Sequence, residues 1–319
     1  MTNTNLALLR IISRLQDVDA EVRRLALSEL ADDAEDEHIA YIVAALTDKA
    51  AQVRATAASL LQDFLNAESV AALIQALSDD SIEVREAAAQ SLSELKDSFF
   101  AAQLLKHFPA AQGFAKAALL RALRELRDAD AFAPALQALD NSDPLVRREA
   151  VGVLGYLKNT EALAKLSELA TSDPVPVVRK AAVGALGIGS NETVAKALVL
   201  ALSDQEWNVR EEAAVTVGKL RLENAVNALI SAMKDDYWQV RGKAARSLGR
   251  IKSRTATSVL IEALADESSN VRKETAYALG EIGDKAALPA LLLAQQQDTD
   301  VDVRKAAKLA TAQISLQNK

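Results

Sequence analysis

The chain has no cysteine and, in 319 residues, only two histidines, two methionines, two tryptophans, six prolines and eleven glycines. Without a thiol there is no disulfide framework, no thiolate metal site and no cysteine nucleophile. His38 is followed by Ile39 and His107 by Phe108, so neither histidine sits in a metal-ligand spacing. No glycine-rich loop of either common phosphate-cradling type is present, and no local motif supports a Ser-His-Asp assembly. No apolar run approaches the roughly 18 residues that a membrane-spanning helix needs. The opening stretch MTNTNLALLRIISRL is interrupted by Arg10 and Arg14 and lacks a small-residue cleavage site. It reads as a helix rather than a signal peptide, and a cytoplasmic protein without a membrane partner is the expectation.

Half of the residues are hydrophobic but only 4% are aromatic, so the apolar mass is alanine, leucine and valine. With so little glycine and proline, that mixture favours helix. The net charge of −7 is uneven: residues 1–97 carry 18 acidic and 8 basic side chains, the remainder 26 acidic and 29 basic. An acidic first third argues against nucleic acid as the partner, because phosphate binding needs a cationic face.

Self-similarity organises the rest. Arg23, Arg54, Arg85, Arg147, Arg179, Arg210, Arg241, Arg272 and Arg304 follow valine in matching segments, and Lys116 falls midway in the one double gap. The intervals are 31 or 32 residues, so ten units of about 31 residues tile the chain as one domain, 1–319. Each unit holds two runs with apolar residues at three- and four-residue spacing, the signature of two amphipathic helices. An Asp six before the Arg (Asp17, Asp48, Asp79, Asp173, Asp204, Asp235, Asp266, Asp298) lies in the turn between them. There it can cap the second helix. Gly155, Gly187, Gly218, Gly249 and Gly280, eight after the Arg, point to close approach of neighbouring helices, and Gly283 to a left-handed helix end. One such pair cannot bury its apolar face alone; stacked pairs can. The predicted fold is therefore all-α, an α-solenoid of about ten helix pairs wound as a right-handed superhelix.

The segments VRKETAYALGEIGDKAALPALLLA and VREAAAQSLSEL resemble HEAT-like repeats of the bilin-lyase type, named for phycobilisome lyase subunits. The resemblance covers the whole chain. It implies that Asp and Arg form a ladder between neighbouring repeats, that the arginine column is structural, and that the second helices line the concave surface. It also raises a bilin lyase or chromophore-handling subunit as an alternative function, although no residue here speaks for a bilin. Deoxyhypusine hydroxylases, HEAT-repeat enzymes with His-Glu pairs for iron, are excluded by the histidine contexts above. HEAT-like DNA-alkylation glycosylases join aromatics and an Asp to a cationic concave face. Trp207, Trp238, Lys243 and Arg246 beside Asp235 and Asp236 are similar in kind, but the basic excess is slight.

Function is expected where repeats differ. The two tryptophans, Trp207 and Trp238, occupy the same position, three before the Arg, in consecutive repeats. Tyr237 adjoins Trp238, Tyr277 lies on the same side one repeat on, and Lys243 and Arg246 lie among them. Large rings with few rotors among charges suit an interface; local packing on a loop or an arginine stem is the alternative. Nine residues after the arginine column, Asp32, Asp63, Glu94 and Glu125 form an acidic stripe that would steer a basic partner, or a merely solvated face. The run DDAEDEH at 32–38 reads as a solvated loop. Repeat four lacks both the turn Asp and the Val-Arg pair, and carries Phe99, Phe100, Phe108 and Phe114. Those rings fill the core in place of the lost ladder, bend the solenoid or open a pocket. The expected function is a non-catalytic scaffold that docks a protein or peptide on its concave face, without a cofactor or metal; the sequence leaves a small-molecule ligand unknown.

Overall fold

A computed structural model describes residues 3–32, 38–189 and 192–317. The acidic stretch at 33–37, expected as a loop, lies outside the described residues. Among those described there are twenty α-helices and no strand, two helices to each repeat. Repeats one to five hold α1 (Asn3–Arg14) and α2 (Ala20–Asp32), α3 (Ile39–Ala45) and α4 (Ala51–Leu60), α5 (Ala67–Ala76) and α6 (Ile82–Ser93), α7 (Ala101–His107) and α8 (Gly113–Leu126), α9 (Phe132–Ala138) and α10 (Pro144–Leu157). Repeats six to ten hold α11 (Leu163–Ser172) and α12 (Pro176–Ala185), α13 (Glu192–Ala201) and α14 (Trp207–Leu220), α15 (Val226–Ala232) and α16 (Trp238–Ile251), α17 (Thr257–Ala263) and α18 (Ser269–Ile282), α19 (Leu288–Gln297) and α20 (Val301–Gln317). The first five repeats form one compact unit, Met1–Leu157, and the last five another, Lys158–Lys319. In each, every second helix packs on the second helix of the next repeat, the stacking of an α-solenoid.

One stripe drives this stacking. The valine before the arginine (Val53, Val84, Val146, Val240, Val271), the residue three after it (Ala57, Ala88, Ala150, Ala244, Thr275) and the leucine seven after it (Leu61, Leu92, Leu154, Leu248, Leu279) are all buried. Their four-residue spacing keeps them on one helix face. Close approach at the recurrent glycine is real: a Cβ on Gly249 would fall 2.7 Å from the Ala278 Cα, and one on Gly280 2.9 Å from the Ala310 Cα. The residue three before the arginine is the first residue of the second helix in all ten repeats. That explains Pro144 and Pro176, since proline's fixed φ suits a first helical turn. Among the described residues, five second helices end in a left-handed residue eleven after the arginine column. Gly283 serves in repeat nine as expected, but Arg127, Lys158, Arg221 and Lys252 do the same without glycine.

The arginine column forms the ladder that the resemblance implied. Arg23, Arg54, Arg179, Arg210, Arg241 and Arg272 each grip the turn Asp of the next repeat through Nε and Nη2, as in Arg54 to Asp79 at 2.7 Å for both bonds. The Nη1 of each donates to the backbone carbonyl of its own turn Asp, so one guanidinium ties two turns together. The Asp is not the helix cap. Its Oδ1 accepts the N–H two residues on, as Asp48 does from Ala50 at 2.8 Å. The cap itself is Ala50, Ser81, Glu206 or Tyr237 in successive examples. Gripping the guanidinium holds the carboxylate one step upstream of the helix start.

The guanidinium of Arg23 lowers the pKa of Asp48, that of Arg272 does so for Asp298, and that of Arg54 brings the pKa of Asp79 down to about 2. At Asp204 and Asp235 burial pushes upward most strongly, but the bonds from Arg179 or Arg210 and from backbone N–H leave both lowered.

Repeat four replaces this device. Arg85 keeps its bond to the Asp79 carbonyl at 2.7 Å, but its guanidinium lies 5.9 Å from the Phe114 ring centre. Lys116 places its ammonium 4.8 Å from the ring centre of buried Phe108. Phe100 is buried too, whereas Phe99 is exposed. Beside Phe108 and Lys116 opens a cleft of about 770 Å³ that also takes in Leu105, Pro134 and Gln137. So Phe100 and Phe108 fill the core while Phe99 does not, a cleft opens beside Phe108, and Phe114 and Phe108 receive the cations that have lost their carboxylates.

Candidate partner-binding surface

Trp207 and Trp238 are each the first residue of their second helix. The two tryptophans nevertheless have different surroundings. Trp207 is half-buried: its ring stacks on Tyr237 with centres 5.3 Å apart and planes 15° from parallel. Tyr237 is the N-cap of α16, and the guanidinium of Arg210 stands 5.9 Å from its ring centre. The stack is thereby fastened to the Arg210–Asp235 rung of the ladder. Trp238, the next residue, is 43% exposed and Tyr237 45%.

Trp238 lines a cavity of about 230 Å³ with Glu211 of α14, Gln239, Gly242 and Lys243 of α16, and Asn270 and Glu274 of α18. Gly242 leaves it open, since a Cβ built there meets nothing within 4 Å. The side-chain oxygen of Gln239 is buried and accepts no hydrogen bond from the described residues. Tyr277, 37% exposed, belongs to a second cavity of about 300 Å³ with Arg246, Arg250, Glu274, Glu281 and Gln313. Arg246 is held there in a two-bonded pair with Glu274 at 2.7 and 2.9 Å. Glu274 lines both cavities. Of the expected residues, Trp238 and Lys243 line one hollow and Arg246 and Tyr277 the other, while Trp207 and Tyr237 stack on each other and line neither. Gln239, Asn270 and Gln313 are lining residues that the sequence reading did not select; Gln239 and Asn270 stand two before the arginine, where Phe114, Leu145 and Val177 are apolar, and Gln313 stands nine after it, in the row of the acidic stripe. Nearby Glu212 has its carboxyl pushed up by burial, against the pull of Lys180.

The acidic stripe is shorter than expected. Asp32, Asp63 and Glu94 are exposed in the N-terminal unit. Glu125 is not a free member of the row: Arg124 grips it at 3.0 Å, and the charge on the second-helix face changes sign between α6 and α8. Among the described residues no group of three or more histidine, aspartate or glutamate side chains could hold a metal ion, and no helix is long and apolar enough to cross a membrane.

Comparison with known proteins places this arrangement. A family model described as HEAT repeats matches residues 8–93, 39–112, 102–187 and 226–312. Among curated proteins none matches the sequence. An engineered protein of solved structure aligns over 97% of this chain and 98% of its own, at 21% identity and TM-score 0.55. YibA of E. coli aligns over 92% of this chain and 98% of its own, at 20% identity and TM-score 0.54. The karyopherin Kap121p, solved bound to the extreme C-terminus of the protein phosphatase Cdc14p, aligns over 99% of this chain and 42% of its own, at 17% identity and TM-score 0.56. These likenesses are of fold.

Proposed function

The chain belongs to the HEAT-repeat family, and from that premise we propose that it is a non-catalytic cytoplasmic scaffold that docks a protein or peptide partner on the second-helix face of its C-terminal unit. The observation that carries the reading is Trp238: a large ring left in solvent at the mouth of a cavity with an open glycine floor. Burying such a ring against a partner supplies apolar area at little rotamer cost. Trp207 and Tyr237 form a stiff platform beside it, Tyr277 offers a second anchor, and Lys243 and Arg246 set polarity and register. The exposed carboxylates Asp32, Asp63 and Glu94 attract a basic segment of the partner. Kap121p, a protein of like fold, holds a peptide terminus, which supports the same use here.

The test compares three proteins in crosslinked capture from source-cell lysate, read by mass spectrometry: wild type, Trp238→Ala and Gly242→Leu. Because nothing lies within 4 Å of a Cβ at Gly242, the leucine side chain starts into open space at the cavity, and leaving glycine for leucine in a helix stabilises it by somewhat under about 1 kcal/mol. The expected result is a partner held by wild type and weakened by about 2 kcal/mol in either variant, with thermal stability of Gly242→Leu unchanged or raised. A partner retained equally by all three removes the site from this face. The bilin-lyase likeness of the repeats carries the chromophore-handling alternative; a linear tetrapyrrole retained by the purified protein, seen as visible absorption, would favour it.

A further inference from the structure

The second-helix face of the N-terminal unit carries a feature with a different chemistry. Glu149, on α10, has only 5% of its side chain exposed, yet three arginines gather on its carboxylate. Arg121 reaches Oε1 at 3.4 Å, Arg124 reaches Oε2 at 3.6 Å, and Arg148 also bonds Oε1. The equivalent position in repeat nine is Glu274, which pairs with Arg246, the equivalent of Arg121. There the ratio is one to one. Around Glu149 it is three to one, and one guanidinium is enough to neutralise a buried carboxylate.

The surplus does not stop there. Arg124 also holds Glu125, and the guanidinium groups of Arg124 and Arg127 lie 5.9 and 5.1 Å from the ring centre of Tyr156. Gly152 gives Arg124 its room, since a Cβ there would lie 3.4 Å from the arginine Cδ. Four guanidinium groups therefore face two carboxylates. The side chains of Arg121, Arg124 and Arg148 remain 39%, 31% and 34% exposed. Each guanidinium has five N–H donors, and Arg121 and Arg148 each spend only one nitrogen on Glu149. Buried Glu149 holds their guanidinium groups, so less freedom is lost when another carboxylate arrives.

We propose that Arg121, Arg124, Arg127 and Arg148, with Tyr156 as a flat neighbour, form a recognition site for an acidic peptide segment of a protein partner. The planar forks match carboxylate groups in pairs. The site rests on residues separate from the Trp238 cavity, and its fate does not depend on that reading.

Fluorescence anisotropy of a labelled glutamate-rich peptide, titrated with the full chain, tests it. The double variant Arg121→Gln/Arg148→Gln should bind about a hundredfold more weakly, about tenfold for each charged hydrogen-bonding group lost. Arg121→Lys/Arg148→Lys keeps the charge but loses the forks and should be weakened as well, while Arg254→Gln, an exposed arginine of the C-terminal unit, should match wild type. Helical circular dichroism confirms that each variant is folded. Equal affinity of wild type and the double glutamine variant overturns the site. Equal affinity of wild type and the double lysine variant reduces it to unspecific charge attraction, and tighter binding of a duplex oligonucleotide than of the peptide reassigns it to phosphate.

Discussion

Repeats two and four are built on the same helix pair, yet they secure their turns differently. In repeat two the Arg54 guanidinium holds Asp79 of the next repeat with two bonds of 2.7 Å. In repeat four Lys116 rests 4.8 Å from the Phe108 ring centre. Both meet the same need, a partner for a long cation in the first turn of a second helix. A carboxylate meets the charge with directed, charge-assisted hydrogen bonds; a ring meets it with its quadrupole and adds buried apolar area. The difference teaches that the helix pair is specified by its apolar stripe, and that the polar clamp over the turn is replaceable where a large ring takes over part of its burial.

Substitutions on the two sides should separate accordingly. The largest effect is expected for Phe108→Ala, which removes a buried ring and the partner of Lys116 together; it should cost about 3–5 kcal/mol. Hydrogen exchange should place that loss in α7 and α8, as local opening. A loss below about 1 kcal/mol would mean that the cation contact alone, not the buried ring, holds the turn. Asp79→Ala should cost less, about 2–3 kcal/mol, because Arg54 keeps Asp80 and the Asp48 carbonyl. The same carboxylate makes this side of the comparison pH-dependent. Asp79 titrates at about 2 in the folded chain, against about 3.9 when unfolded. Its stabilisation is therefore complete above about pH 4 and is lost as pH falls towards about 2. Urea midpoints should fall over that window in wild type and fall less steeply in Asp79→Ala; parallel slopes would remove Asp79 as a source. The smallest effect is expected for Lys116→Met, which keeps the stem and deletes the charge: about 1 kcal/mol or less, read by the same exchange measurement at α8. A loss as large as that of Asp79→Ala would make the two clamps equivalent in strength.

Much of this was legible beforehand. The arginine column gave the repeat, its register and the position of each second helix, since those follow from spacing; the ladder came from the family resemblance, and spacing alone made the Asp a helix cap, which it is not. The same periodicity put Trp207 and Trp238 at equivalent positions, but it could not tell that one is stacked and the other open. What decides is the residue thirty positions on, the N-cap of the next second helix. For Trp207 that residue is Tyr237, a ring; for Trp238 it is Ser268, which offers none. Glu125 looked like a rung of an acidic stripe for the same reason, and Arg124 and the arginines around Glu149 reverse the sign of that face.

The sequence by itself therefore determined the helix pair, the ten-fold repetition and the buried stripe, because each follows from spacings within about one repeat. Only the tertiary structure decided which rings and charges are spent on neighbours and which remain for a partner. That choice lies in contacts between side chains some 25–30 residues apart, set by how consecutive second helices stack, and a pattern that treats every repeat alike carries no record of it.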